Sequence, residues 1–513
     1  MRKVHSLFII VIMLTVFIAG CGQQLTKVQP EPITGIDEGA VKVIYEDEGP
    51  SQGGILNLFM VSPKTLNPLT TQDPYVRQLS SFVFDSLFYE DEEGVTKASL
   101  VDSYSFSQDG LALDVILRDN ILFHDGKALS SDDVAFSMET IKKASTKSLY
   151  YNHVSNIYSI TPLTRRSFRL ILDKADTEFA EKLTFPVIPK HIFQEWPIEG
   201  HKESMQLIGT GPFKYNSYNE ESITLVRNDA WWYLESDDGL SHPVWLDGIT
   251  FKLYSDRSQM MQAFQRQQID IAWLEEGDLE SYSKRADIFF NKYVSNILEL
   301  LVLSPEGETG SPISQENFRT AIIEYLSRYE RQNPINKGES AIDFEESDSE
   351  SNVNQNTTIN ALIDSGFFYD YDKGYLYSYK NNIKTPVQLS LIYNGLNTDR
   401  DYTSEWIANA LTGIGIRVDV KTADVGKQKE LIKSGKFDMM LLGCRIPLYS
   451  NKNETVQFAK KSLNISHANE VIFPLYRKFG AVIYHNYIRG ERNPVWKNIY
   501  NGWQQWYLVH PTP

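Results

Sequence analysis

The stretch "ILFHDGKALSSDDVAFSMETI", residues 121–141, puts a tight turn directly ahead of a helix start. Asp125 and Gly126 are turn residues: the carboxylate can accept from nearby backbone, and the glycine allows a left-handed bend. Ser130 or Ser131 can cap the helix that follows. Asp132 and Asp133 then sit in its first turn, where the helix dipole favours negative charge. His124 beside Asp125 has the composition of a general base or a metal ligand. Neighbouring residues seldom converge on one substrate, however, and no third partner lies close in sequence. The pair is read as part of the turn.

Upstream, Ser107-Gln108-Asp109-Gly110 predicts a hairpin turn, and Leu111, Leu113, Val115 and Leu117 alternate as a strand does. Residues 76–89, "VRQLSSFVFDSLFY", place Val76, Leu79, Phe82, Val83 and Leu87 at helical spacing, which predicts one amphipathic helix over the run. Ile55–Phe59 reads as a short strand, closed by Pro63 and Pro68. Downstream, Gly209-Thr210-Gly211-Pro212-Phe213 has too few glycines for a phosphate cradle and no Lys-Ser or Lys-Thr after it. Its glycines are expected to permit a tight turn before the strand Ile223–Val226. Trp231, Trp232, Tyr233 and Trp245 could line a ligand groove, but packing inside the protein is the expectation. The acidic run 335–358 lacks hydrophobic periodicity and reads as a solvated loop, without the spacing of a calcium loop.

Composition narrows the class of protein. The chain has 513 residues, 42% hydrophobic and 12% aromatic, enough for two or more domains with sizeable cores. A formal charge of -16 argues against nucleic acid or an anionic lipid surface as partner, since both need a basic face. No Cys/His cluster has zinc spacing, and no GxSxG or P-loop occurs. An enzyme, a metal and a cofactor are therefore not expected.

The N-terminal end carries a signal. Arg2 and Lys3 precede the apolar run Leu7–Ile18, and the small residues Ala19 and Gly20 precede Cys21. This is a secretory signal peptide, shorter than the roughly 20 apolar residues of a membrane span. Residues 1–20 are expected to be removed. Residues 21–50, with Pro30, Pro32, Gly35, Gly39, Gly49 and Pro50 among polar and acidic residues, are expected to form a flexible tether. Ile18-Ala19-Gly20-Cys21 resembles the bacterial lipobox, which implies a diacylglycerol on Cys21 and a body on the outer face of a cytoplasmic membrane. Cys444 is then the one thiol left, and no intramolecular disulfide can form.

A family resemblance rests on motifs in order. The Phe-His-Asp-Gly turn and Asp-Val-x-Phe-Ser helix of residues 121–141 resemble the oligopeptide-binding family, family 5, of extracellular solute-binding proteins. "GGILNLFMVSPKTLNPL", "VIPKHIF", "GTGPFKYNSYNEESITLVRNDAWW" and "LDGITFKLYSDRSQMMQAFQRQQIDIAW" resemble further segments of that family. So do "PVQLSLIYN", "WIANALTGIGIRVDV", "GKFDMMLLG", "FPLYRKFGAVIY" and "NPVWKNIYNGWQQWYL", so that the likeness runs from about residue 51 to the end.

The resemblance implies an α/β fold of two hinged lobes, periplasmic-binding-protein-like of type II, cluster C, with an extra inserted domain. It assigns residues 51–75, 190–295 and 475–513 to a discontinuous large lobe, 76–189 to an inserted smaller domain and 296–474 to the second lobe. It implies a lipid-anchored, monomeric receptor that binds a peptide or other small ligand between its lobes and delivers it to ABC permease subunits with their ATPases. By position, the candidate ligand-binding residues are Met60, Val61 and Ser62, then Tyr393 and Asn394, then Cys444, Arg445, Ile446 and Pro447. One departure bears on the ligand. Peptide-binding members commonly carry an aspartate for the ligand's α-amino group in the segment resembling "LLGCRIPLYS", but Gly443 to Leu448 hold no acid. A buried ammonium without a counter-charge is costly. A blocked N-terminus, or a neutral or anionic group, is expected there, with Arg445 as the candidate cation. Otherwise Arg445 is a rim residue meeting solvent or a nearby acid, and the loop Asp343–Glu350 supplies the anion. The alternative function is a non-transport signalling or scaffold lipoprotein with a degenerate cleft.

Overall fold

The computed structural model describes residues 47–509 except 92–94, 195–206, 234–242, 276–278, 309, 342–354, 447–451, 464–470, 491 and 497. Cys21, Pro447 and the acidic loop Asp343–Glu350 lie outside the described residues.

The first strand, β1 (Ile55–Val61), buries Leu56, Leu58 and Met60 completely. Helix α1 (Pro74–Val83) follows, capped by the Asp73 carboxylate, which accepts from the Tyr75 N–H, with Pro74 in the first turn. It ends at Val83, not at residue 89 as the apolar spacing predicts. Phe84 is already extended, and Phe88–Glu90 forms a short strand. The reason is tertiary. Asp85 is drawn inward, where its Oδ2 accepts from Thr210 Oγ1 at 2.9 Å and Trp232 Nε1 at 2.7 Å. A continued helix would give up these charge-assisted bonds and leave that carboxylate buried and unpaired.

The inserted region holds β2 (Val101–Phe106), β3 (Ala112–Leu117), helix α2 (Ser131–Ala144), β4 (Ile157–Thr164) and β5 (Ser167–Leu172). The strands form an antiparallel sheet in the order β2-β3-β5-β4. Ser130 is the cap of α2, and Asp133 returns the bond by accepting from the Ser130 N–H at 2.9 Å. The other Asp133 oxygen accepts from Lys190 N–H at 2.9 Å, which ties the helix start to the "VIPKHIF" segment. His124 belongs to the turn, as read. Its Nδ1 accepts from the Gly209 N–H at 3.3 Å and its Nε2 lies 2.9 Å from the Gly211 carbonyl. Burial pushes its pKa down to about 4, so the ring is neutral and Nε2 donates.

Strands β6 (Phe213–Tyr218), β7 (Ser222–Arg227) and β8 (Gly248–Tyr254) join β1 in a sheet ordered β1-β8-β7-β6. Gly209 and Gly211, which precede it, are not left-handed. A Cβ on them would lie 2.0 Å and 2.7 Å from the Val83 carbonyl oxygen, so these glycines serve close approach to the end of α1 rather than a tight turn.

Next come β9 (Ile271–Leu274), β10 (Ile288–Leu303), helix α3 (Glu316–Gln332), β11 (Gln388–Tyr393), helix α4 (Thr398–Gly413), β12 (Arg417–Thr422), β13 (Met439–Arg445) and β14 (Val471–His485). Their sheet runs β9-β14-β10-β13-β11-β12, and Gly338–Ser340 adds to the edge of β14. The acidic run is thus not all loop: Gly338–Ser340 is a strand, and a helix begins at Gln355. Tertiary pairing and packing supply what local periodicity lacked.

Strands β10 and β14 tie the molecule together. Ile288–Val294 pairs with Phe479–His485, and Leu298–Leu303 pairs with Val471–Arg477. Between them Ser295, Asn296 and Ile297 bulge opposite Lys478. The apolar cores divide at the same place. Ile288, Tyr293 and Val482–Tyr484 join the core that holds β1, α1 and the inserted region. Leu298 to Leu303 and Phe473 to Tyr476 join the cores packed around β11, β13, α3 and α4. The bulge therefore lies where one lobe gives way to the other, which is where two long strands can flex without breaking either core.

Candidate interlobe binding site

The large lobe brings the ends of β1, β8 and β9 and the start of α1 to the bulge. Phe59 stacks on Tyr254 with centroids 4.8 Å apart, and Trp273 lies 5.4 Å from Tyr75 and 6.2 Å from Phe59. The Ile-Asp segment is anchored beneath them, since Asp270 Oδ2 accepts from the Asn57 N–H at 2.6 Å. Arg257 lies over the Trp273 ring at 6.0 Å.

Glu275, just past β9, joins the lobes. Its Oε2 accepts from Arg257 Nη1 at 2.6 Å and from Arg445 Nη2, at the end of β13 in the second lobe, also at 2.6 Å. Arg445 Nη1 is held by Asn296 Oδ1 of the bulge at 3.2 Å, and the Asn296 carbonyl accepts from the Ile446 N–H at 2.8 Å. Burial opposes the Glu275 charge, but hydrogen bonds and charge from Arg445 and Arg257 outweigh it and hold the carboxyl below its ordinary pKa. Two guanidinium groups on one carboxylate leave an excess positive charge. Tyr293, on β10 within reach of the same charges, has its phenol pushed up, chiefly by burial. Burial also raises the Tyr75 phenol to about 12.

The residues expected at the cleft divide. Val61, Ser62, Asn394, Arg445 and Ile446 are at least partly exposed at strand ends. Met60 is fully buried under β1 and Cys444 is packed in a second-lobe core, so neither side chain is offered to a ligand. Tyr393 is buried as well, its hydroxyl donating to Asp401 at 2.6 Å. The alternation of side chains along a strand explains this: at one step from the exposed Arg445, Cys444 must face the core. Of the two roles expected for Arg445, the structure places it against a neighbouring acid, Glu275. Sequence reasoning did not single out Glu275. Its only local signal is an acid directly after the strand of the Ile-Asp segment, and it stands 170 residues from Arg445.

Beside Gly443 of β13 lies a buried ion pair. Glu299, 2% exposed, accepts from Arg400 Nε at 2.8 Å and Arg400 Nη2 at 3.2 Å. Burial nevertheless leaves the Glu299 carboxyl raised in pKa. Gly443 is needed beside it, because a Cβ there would come within 2.7 Å of both partners. Lys478 of the hinge pairs with Asp399 at 2.8 Å. This network fixes the floor under Arg445.

The arrangement is suited to holding a ligand: aromatic faces, a carboxylate and cations, set on strands from both lobes. Cys444 has its thiol pushed up to about 11 by burial and stays protonated. Among the described residues no three His, Cys, Asp or Glu side chains gather as a metal site. Among them, too, no helix is long and apolar enough to cross a membrane.

Comparison with known proteins follows the same lines. The model of "Bacterial extracellular solute-binding proteins, family 5 Middle" matches residues 96–462. The oligopeptide-binding protein AppA of Bacillus subtilis is 26% identical over 294 residues, 54% of this chain. The match spans about half, 51%, of that relative's length. The structure of the ABC transporter substrate-binding protein CtaP of Listeria monocytogenes superposes with a TM-score of 0.63 at 18% identity, covering 90% of this chain and 100% of that one. The structure of Bacillus subtilis AppA in complex with a nonapeptide gives 0.52 at 19% identity, with the same coverages of 90% and 100%. These neighbours share the two-lobed type II periplasmic-binding fold.

Proposed function

The chain belongs to family 5 of the bacterial extracellular solute-binding proteins, and from that membership we propose that it is the lipid-anchored receptor of an ABC importer, binding an oligopeptide-like ligand between its lobes. The observation that carries this reading is the meeting of Arg445 and Glu275 across the hinge. A site assembled from both lobes binds by closing, and polar groups at strand ends suit an extended ligand. AppA, named for oligopeptide binding and solved with a nonapeptide, supports the ligand class.

The same ion pair speaks to the ligand's charge. The one described acid beside Arg445 already serves two arginines, so it offers little to a peptide ammonium. The site suits a blocked N-terminus or an anionic group. The expected result, in native mass spectrometry and calorimetry with nonapeptides in free and N-acetylated forms, is that acetylation changes affinity by less than about tenfold. Arg445→Ala should weaken an acidic peptide by the worth of one charge-assisted hydrogen bond, about 1.5–3 kcal/mol, or tenfold to a hundredfold. A strong preference for the free amine would overturn the charge reading. If no peptide or host-derived ligand is retained at all, the observation that Arg445 is already engaged by Glu275 favours the second reading, a scaffold or signalling lipoprotein with a degenerate cleft.

Anchoring rests on Ala19-Gly20-Cys21. Cys21→Ala is expected to move the protein from the membrane fraction to the medium or leave it unprocessed. An unchanged lipid mass on the mature chain would refute it.

A further inference from the structure

One cavity draws no lining residue from the second lobe. It measures about 900 Å³ and lies between the end of α1, the strand Phe88–Glu90, the segment Trp231–Tyr233 and the closing segment 495–507. That volume is at the upper end of what small-molecule sites use, roughly 300–1,000 Å³. Neither Glu275, Arg257, Arg445 nor Trp273 lines it.

Its walls are partly polar and partly aromatic, and the aromatic ones are held in place. Trp231, Trp232 and Tyr233 pack with centroids 5.2–6.4 Å apart. Both indole N–H groups are taken up by Asp85 Oδ2, on the same lining, at 3.4 Å and 2.7 Å. Ring orientation is therefore fixed before any ligand arrives, and the indoles keep no donor for one. Trp232, Tyr233 and Trp245 are only partly buried and Tyr89 is exposed, in a molecule that hides most of its large rings. The lining also carries polar side chains, among them Ser80, Ser81, Asn498 and Gln504, so a ligand with a flat apolar body and one polar group matches both kinds of wall.

One cation lines the cavity among the described residues, Arg77 of α1. Arg77 Nη2 donates to the Trp496 carbonyl at 3.0 Å, and the guanidinium lies 5.6 Å from the Trp496 ring. No carboxylate among the described residues forms a direct salt bridge with it, Glu275 acting on it only at longer range, and its Nε lacks an acceptor among them. Two acids on the same lining are engaged elsewhere, Asp85 by Thr210 and the two tryptophans, Asp91 by the Val95 N–H and Lys97. An arginine held in a mostly buried setting with only the longer-range charge of Glu275, and no carboxylate in direct contact, favours an anion.

We propose that this cavity is a second ligand site, separate from the interlobe cleft, for a small aromatic molecule carrying one carboxylate or sulfonate, its ring between the tryptophans and its anion toward Arg77. The test uses the full mature chain and two probes. Anilinonaphthalene sulfonate should bind one-to-one with saturable fluorescence. Arg77→Gln should weaken it about tenfold to a hundredfold, the loss of one charge-assisted contact. Tyr89→Ala, a change at the exposed rim, should weaken it without unfolding the protein. Crystals soaked in bromobenzoate should show the bromine by anomalous scattering inside the cavity. Equal affinity in both variants, or bromine found only outside the cavity, would overturn the proposal.

Discussion

Arg400→Ala is expected to cost about 3–5 kcal/mol of stability, because it leaves the Glu299 carboxylate buried beside β13 without its guanidinium. The loss should be far smaller in the double variant Glu299→Leu with Arg400→Leu, since an ion pair replaced as a whole by apolar groups is often neutral. Urea unfolding of the single and double variants measures both. If the single variant loses less than about 1 kcal/mol, the pair is solvated in solution and does not act as the floor of the site. The carboxyl is already pushed up by burial, so the variant can escape part of the penalty by binding a proton. The loss at neutral pH should therefore shrink as pH falls. In Glu299→Gln that pH dependence should disappear.

Gly209→Ala should cost about 3 kcal/mol or more. Its Cβ would stand 2.0 Å from the Val83 carbonyl oxygen, and the obstacle is backbone, which cannot rotate aside. The same displacement would break the bond from the Gly211 N–H to Val83 O, 2.9 Å, and loosen His124 from both glycines. Gly126→Ala is the control. That glycine is left-handed with φ of +84° but has open space around it, so alanine should cost only the backbone strain of about 1–2 kcal/mol. Thermal unfolding of the two variants side by side decides the matter, and an equal loss would show that crowding against α1 is not what glycine serves.

Local pattern made much of the fold legible. The strand at Ile55, the hairpin turn at Asp109-Gly110 and the capped start of α2 all depend on neighbours within a few residues, and the structure has each of them. The ordered motifs identified the family because each keeps the same local chemistry wherever it occurs. Local pattern failed where a distant partner outbid it. Apolar spacing continued to Leu87, yet α1 stops at Val83 because Asp85 answers to Thr210 and Trp232, more than a hundred residues away. Periodicity was missing around Gln355, yet a helix forms there against the second-lobe core through Ile359 and Leu362.

The candidate site was legible in part for the same reason. A strand end can be read from sequence, so Val61, Ser62, Asn394, Arg445 and Ile446 were located as positions. Which side chain points into a core depends on the phase of each strand against its sheet, and that placed Met60, Tyr393 and Cys444 inside. By itself, then, the sequence determined the family, the hinged two-lobed class and the absence of an acid from Gly443 to Leu448. Only the tertiary structure decided that Arg445 meets Glu275, because an ion pair is set by distance in space. Here that 2.6 Å contact joins the residue just past β9 to the end of β13, 170 residues of chain apart, in one sheet held by the long pair β10 and β14.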